Sequence, residues 1–257
     1  MVSAILSPHL DDAVLSCWHL LAQPGDVRVI NVFAGVPSAT AGAWWDQLTG
    51  ATDSSQRMRE RLAEDRAALA HAERLPVNLD FLDHQYRDAE QALSPLVTQI
   101  EAALAPGAHV YAPAAIGAHA DHELVRAAAL ELRERGFSIS LYADLPHANQ
   151  CGWPAWVTGD RPAERPNLAA VTWDLVLAAT GVLPDTIAPV VHRLDPRSHT
   201  LKLSAVRAYA TQLNGLELML GQPLTDRDAL GYEVVWALPA VATPSPAYAR
   251  HRAGPHL

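Results

Sequence analysis

Val2-Ser3-Ala4-Ile5-Leu6-Ser7-Pro8-His9-Leu10-Asp11-Asp12 begins as a short, mostly apolar run and ends in one imidazole and two carboxylates. The run predicts a buried strand stopped at Pro8, whose ring fixes φ and removes a ladder donor. Asp11 or Asp12 then stands where a helix cap is wanted, with the helix running to about Leu21. Past a Pro24-Gly25 turn, a second strand is predicted over Val27 to Phe33. A charged helix from about Ser55 to Glu73 and a third strand over Val77 to Leu82 follow.

The alternation continues with a helix near Leu93 to Leu104, a strand at His109 to Ala112, a helix from about His122 to Arg135 and a strand at Ser138 to Ala143. Strands alternating with helices of this length predict an α/β, Rossmann-like fold, a mainly parallel sheet with helices on both faces. In such sheets ligands sit outside the carboxyl ends of the strands. His9, Asp11 and Asp12 follow the first strand and His119-Ala120-Asp121-His122 follows the fourth, so both clusters fall on one edge, where the active site is expected. Residues 144–166 turn rich in Pro, Gly and Trp and are expected to loop over that edge. A helix from about Ser198 to Leu213 and a strand near Tyr232 to Leu238 come next. The expected organisation is a single domain over residues 1–241 with a mobile tail over 242–257.

Composition narrows the function. With 49% hydrophobic and 18% charged residues, the 257-residue chain is globular rather than disordered. A formal charge of −9 disfavours nucleic acid and anionic membrane as partners, since either needs a basic face to neutralise phosphates. A small neutral or cationic substrate remains open, and a homo-oligomer is compatible with the sequence. Two cysteines, Cys17 and Cys151, make no disulfide framework. The start of the chain lacks the pattern of a signal peptide, and no apolar run reaches the roughly 20 residues that span a bilayer. A cytoplasmic location is expected.

A divalent ion needs hard and borderline donors converging from a rigid edge. Two of the three groups among His9, Asp11 and Asp12 can bind one, leaving the third beside the metal-bound water. Taking His122 as a further ligand completes a two-His, one-carboxylate set with an open position, the pattern of a catalytic zinc site. The ion lowers the pKa of its water to about 7, so a neighbouring carboxylate can take the proton, and Asp11 is the candidate base. A cationic His119 would stabilise the oxyanion and protonate the leaving amine, with Asp121 holding its ring and raising its pKa. An Asp after a strand is by itself usually a helix cap, and a lone loop His a surface residue. The coincidence of two clusters on one edge is what favours a site.

Other residues carry weaker signals. Arg61 could reach a sugar hydroxyl, Trp44 or Trp45 could offer an aromatic face to a sugar ring, and His147 could donate to substrate. The ordinary roles of such residues are a solvated cation, local packing and a plain loop position. Trp153 and Trp156 suit a flap, although packing is the commoner role, and Tyr209 and Gln212 share a predicted helix face.

His9-Leu10-Asp11-Asp12 and His119-Ala120-Asp121-His122 resemble the LmbE-like, or PIG-L, family of zinc N-deacetylases, whose motifs carry His-x-Asp-Asp and His-x-Asp-His. Arg61 with Glu64, Asp83-His84-Gln85-Tyr86-Arg87, Tyr142-Ala143-Asp144-Leu145-Pro146, and Lys202 through Tyr209 to Gln212 look like further landmarks, so about residues 1–240 are covered. The resemblance implies one Zn2+ per chain, with Fe2+ or another divalent ion as a substitute, held by His9, Asp12 and His122. It implies Asp11 as base, His119 as electrostatic catalyst and Asp121 as its partner. The implied reaction is removal of an N-acetyl or related N-acyl group from an amino sugar or amino-sugar-containing metabolite by a metal-bound water. Ala13 stands where many members have Glu, and His147 where one branch has Tyr, which bears on the substrate. The alternatives are a mycothiol-conjugate-type amidase of the same family and a non-catalytic metal- or sugar-binding protein, which the presence of Asp11 disfavours. A dinucleotide site would need G-x-G-x-x-G, and a receiver-like domain would leave His9, His119 and His122 without a role.

Overall fold

The first predicted strand forms as β1 (Ser3–Ser7), with Ala4, Ile5 and Leu6 fully buried at the centre of the sheet. The computed structural model of the protein describes residues 2–39, 42–150, 152–159, 168–179, 186–221, 223–224 and 227–241. The remaining strands are β2 (Val27–Asn31), β3 (Pro76–Asn78), β4 (His109–Pro113), β5 (Ser138–Tyr142), β6 (Val190–Arg193) and β7 (Tyr232–Ala237). They form one seven-stranded sheet in the order β3-β2-β1-β4-β5-β7-β6. Strands β1 to β5 run parallel, while β7 is antiparallel to both β5 and β6.

The expected α/β fold with a mainly parallel sheet is therefore observed, with an antiparallel margin that had not been foreseen. Strand β6 escaped notice because Val190-Val191-His192-Arg193 is short and only partly buried, so it shows no clear apolar alternation.

The helices are α1 (Asp12–Ser16), α2 (Trp18–Leu21), α3 (Trp44–Leu48), α4 (Ser54–Ala70), α5 (Leu93–Ala103), α6 (Ala120–Glu134), α7 (Ala155–Thr158), α8 (Leu168–Ala179), α9 (Pro196–Val206), α10 (Ala210–Leu220) and α11 (Arg227–Leu230). Helices α5 and α6 pack together over one face of the sheet, and α1, α2, α4 and α9 gather on the other. Helix α6 illustrates the local logic. His119 caps it by accepting the Asp121 N–H, Asp121 and Glu123 complement the positive end of the helix dipole, and His122, Val125, Ala128, Ala129 and Leu132 bury one stripe.

Two predicted helices are broken in the structure. The one expected to run to Leu21 divides at Cys17, because Glu233 of β7 accepts the N–H groups of Trp18 and His19 at 2.8 Å each and so caps a new helix. The one expected from Ser198 to Leu213 divides before Tyr209, whose hydroxyl donates to Leu10 O at 3.1 Å and to Asp65 at 2.9 Å. Helix α8 was not anticipated. Trp153 and Trp156 pack on its Trp173 at ring separations of 5.8 and 5.6 Å, so they serve packing. Cys151 and the expected tail over 242–257 lie outside the described residues. Among those residues no helix is long and apolar enough to cross a membrane.

From β1 the chain progresses through β2 and β3 to one side, then crosses to β4 and progresses through β5 to the other. The loops after β1 and β4 thus diverge at a topological switch point, leaving a crevice at the carboxyl edge.

Candidate active site

Two turns at the switch point supply the chemistry. After Pro8, the Ser7 hydroxyl donates to His9 O at 2.6 Å and accepts the Ala13 N–H at 3.0 Å, fixing a tight path from β1 into α1. Within it Asp12 turns back to accept the His9 N–H at 2.8 Å. Across the crevice, His122 is fully buried in the first turn of α6.

Three donor atoms converge there. Asp12 Oδ2 lies 3.3 Å from His122 Nε2, His122 Nε2 lies 3.4 Å from His9 Nδ1, and His9 Nδ1 lies 3.5 Å from Asp12 Oδ2. A tetrahedral ion with bonds of about 2.0–2.1 Å holds its ligands roughly 3.3–3.4 Å apart, so the triangle fits a divalent ion. Two other groupings, His9 with His119 and His122, and His9 with Asp83 and Asp121, also gather donors within 4.8 Å. The second is the poorer candidate because its carboxylates already serve cations, Asp83 with Arg61 at 3.3 Å and Asp121 with Arg87 at 2.5 Å.

Each ligand-type imidazole is aimed by a carboxylate behind it. His9 Nε2 lies 3.1 Å from Asp121 Oδ2, and His122 Nδ1 lies 2.9 Å from Asp144 Oδ2. An ionised carboxylate only accepts, so the protons sit on those nitrogens and the lone pairs of His9 Nδ1 and His122 Nε2 point into the triangle. Arg87 and the His84 N–H hold Asp121, and the Ile116 N–H holds Asp144 at 2.9 Å.

The electrostatics match. Burial works against a charged imidazole, yet Asp83, Asp12 and Asp121 hold His9 well above its ordinary value, and Asp12 with Asp144 carries His122 up to about 9. The surrounding carboxylates therefore favour positive charge at this point. Asp11 and Asp12 differ in kind. Burial and the charge of Asp12 raise Asp11, whereas His122 and His9 overcome burial and hold Asp12 well below the carboxylate range.

The expected pairing of Asp121 with His119 is not found, because the Asp121 oxygens are engaged by His9, His84 and Arg87. His119 Nδ1 instead accepts the Asp121 N–H at 3.3 Å. Burial, with the nearby imidazoles of His9, His122 and His147, pushes His119 down to about 3, which favours a neutral ring over the expected cation.

His9, Asp11, Asp12 and His119 line a cavity of about 290 Å3, together with all three expected substrate residues, Arg61, Trp44 and His147. Arg61 is buried rather than solvated. His147 approaches because residue 117 is Gly: a Cβ there would lie 2.4 Å from His147 Cβ. Asp83, Gln212, Leu216 and Met219 also line the cavity. Asp83, Arg87 and Asp144, which the family resemblance marks only as landmarks, gain partners here: Asp83 pairs with Arg61, Arg87 holds Asp121, and Asp144 holds His122. An acid directly after a strand on the ligand edge, as Asp144 is after β5, was the available signal.

The fold is an α/β sheet with oriented imidazole and carboxylate donors gathered at its switch point. The chain belongs to the PIG-L family: residues 4–132, about half of it, match the family model described as GlcNAc-PI de-N-acetylase. It is similar to the 2'-N-acetylparomamine deacetylase of Streptomyces fradiae, with 33% identity over 168 residues, 57% of this chain and 57% of that one. The chain thus spans little more than half the length of that curated relative. Among solved structures it resembles the antimicrobial reagent A40926 pseudoaglycone deacetylase, with 29% identity, a TM-score of 0.67, and 95% of this chain and 99% of that one covered. It also resembles the zinc inhibited form of teicoplanin deacetylase, with 25% identity, a TM-score of 0.64 and coverage of 92% and 97%.

Proposed function

We propose that this protein is a metal-dependent N-deacetylase that frees the amine of an N-acetylated amino sugar carried on a larger metabolite. The observation that carries this reading is the convergence of two oriented imidazoles and Asp12 at 3.3–3.5 Å, beside Asp11, in one cavity. Family membership and relatives that are deacetylases support the same reaction. The compounds in those relatives' names, 2'-N-acetylparomamine, the A40926 pseudoaglycone and teicoplanin, indicate the class of amide.

His9, Asp12 and His122 would hold one ion. Zn2+ suits the donors, and Fe2+ or another first-row ion would fit the same set, so availability decides between them. When bound, the ion would act as a Lewis acid toward the amide carbonyl and acidify water. Asp11 takes the proton of the attacking water, being a stronger base than Asp12 in these surroundings. Neutral His119 offers Nε2–H to the developing oxyanion, as an uncharged imidazole can. Asp121 and Asp144 keep the two ligand rings aligned. Asp11 then returns its proton to the departing nitrogen, giving acetate and the free amine. The buried free thiol of Cys17 is in keeping with a reducing, cytoplasmic setting.

The test is acetate release from a panel of N-acetylated amino sugars, using zinc-loaded protein beside its Asp11→Asn variant. The variant should keep the ion and lose turnover by about 10²–10⁴-fold. An Asp11→Asn protein with wild-type turnover would remove Asp11 from the base role. A fully metal-loaded wild type that releases acetate from no member would defeat the deacetylase reading.

A further inference from the structure

Trp44 of α3 and Leu216 and Met219 of α10 add apolar surface to the lining of the cavity. Helix α3 has only five residues, so its position must be imposed from outside. Trp45 Nε1–H donates to Gln212 Oε1 at 2.6 Å, tying α3 to α10. The approach is allowed by Gly215, where a Cβ would lie 3.0 Å from Trp45 Cη2 and Cζ2. On the opposite side the Tyr86 hydroxyl donates to Asp46, 3.0 Å from each oxygen of a buried carboxylate. Trp44 rests edge-to-face on this anchored Trp45, with centroids 5.5 Å apart, and is 62% exposed. A large aromatic ring held in place yet open to solvent loses little conformational freedom when something stacks on it.

Charge separates two kinds of substrate. A polycationic aminoglycoside would call for uncommitted carboxylates around the cavity. Among the described lining residues the carboxylates are Asp11, Asp12 and Asp83. All three are buried, Asp12 belongs to the donor triangle, Asp83 is paired with Arg61, and Asp11 is the base of the proposed reaction.

We infer that Trp44, with Leu216 and Met219, forms a subsite for an apolar, ring-bearing aglycone, so that the amino sugar is accepted as the polar head of an amphipathic glycoside. The inference rests on the deacetylase reading and narrows it to a substrate class.

The experiment compares kcat/KM for phenyl and methyl N-acetylglucosaminide and for 2'-N-acetylparomamine, using zinc-loaded wild type, Trp44→Ala and Trp44→Phe. The phenyl glycoside should exceed the methyl glycoside by about tenfold, chiefly through KM. That ratio should fall to near one in Trp44→Ala and largely survive in Trp44→Phe, while the aminoglycoside gains no preference over the methyl glycoside. A ratio near one in wild type, a ratio unchanged by Trp44→Ala, or preference for 2'-N-acetylparomamine would each overturn the subsite. Binding of the two glycosides to zinc-loaded Asp11→Asn, followed by calorimetry, keeps the two readings apart. If no glycoside is turned over, the deacetylase reading fails. The aglycone subsite then stands or falls on whether the phenyl compound binds about tenfold tighter.

Discussion

Replacing Asp144 by Asn leaves its shape and removes one hydrogen-bond acceptor. In the native protein both oxygens are in use, Oδ1 by the Ile116 N–H and Oδ2 by His122 Nδ1, each at 2.9 Å and out of reach of solvent. An amide has one oxygen and one NH2, so the variant can satisfy only one of these partners. If the NH2 turns to His122, the imidazole must accept at Nδ1 and carry its proton on Nε2, which closes the lone pair aimed at Asp12 and His9. If it turns to Ile116, a buried N–H faces a donor, at a cost of about 1–3 kcal/mol in folding stability. Loss of such an orienting carboxylate typically weakens metal affinity by 10–100-fold, roughly 1.4–2.7 kcal/mol. Zinc competition against a chromophoric chelator measures the first consequence, and thermal unfolding of metal-free protein the second. A variant within twofold of wild type in affinity and unchanged in stability would refute the assigned role of Asp144 and the orientation of His122 that depends on it.

Two further perturbations follow from other parts of the molecule. Glu233 is fully buried, 2.6 Å from both Lys202 Nζ and His19 Nδ1, and the charge of Lys202 with the His19 hydrogen bond overcomes burial to hold it at about 2 against an ordinary 4.5. Because its folded value is depressed, the stabilisation, about 3 kcal/mol, is complete above pH 4.5 and lost as the pH falls toward 2. Urea midpoints measured down through that window should drop in wild type and change much less in Glu233→Gln; equal slopes would contradict the assignment. Gly117→Ala should displace His147 and lower kcat/KM about tenfold or more, given the 2.4 Å approach of the new Cβ. In a His147→Gly background, which has no Cβ to collide with, the same change should cost little, and simple additivity would separate the two residues.

The strand-helix alternation and the two His-Asp motifs were legible from the chain because local rules govern them. Apolar runs make strands, a Pro ends β1, and the carboxyl edge of a parallel sheet gathers whatever follows its strands. His9, Asp11, Asp12 and His122 could be placed on one edge in that way. Their orientation was another matter. Asp121 lies one residue from His122 and two from His119, yet its carboxylate serves His9, 112 positions away, through a rotamer that only the packed crevice selects. Likewise the break at Cys17 is made by Glu233, an acceptor 215 residues beyond Trp18 in the chain, and no local propensity announces it. Trp44 could be named as an aromatic residue in a loop after β2, but its place on a clamped helix beside α10 depends on Gln212, Gly215 and Tyr86. Short-range periodicity and turn chemistry were enough to specify the strand-helix alternation from β1 to β5 and which edge bears the chemistry, but not β6, α8 or the breaks at Cys17 and before Tyr209. Proton positions, ring orientations and the apolar lining of the cavity depend on contacts between residues far apart in sequence, and those exist only once the chain has folded.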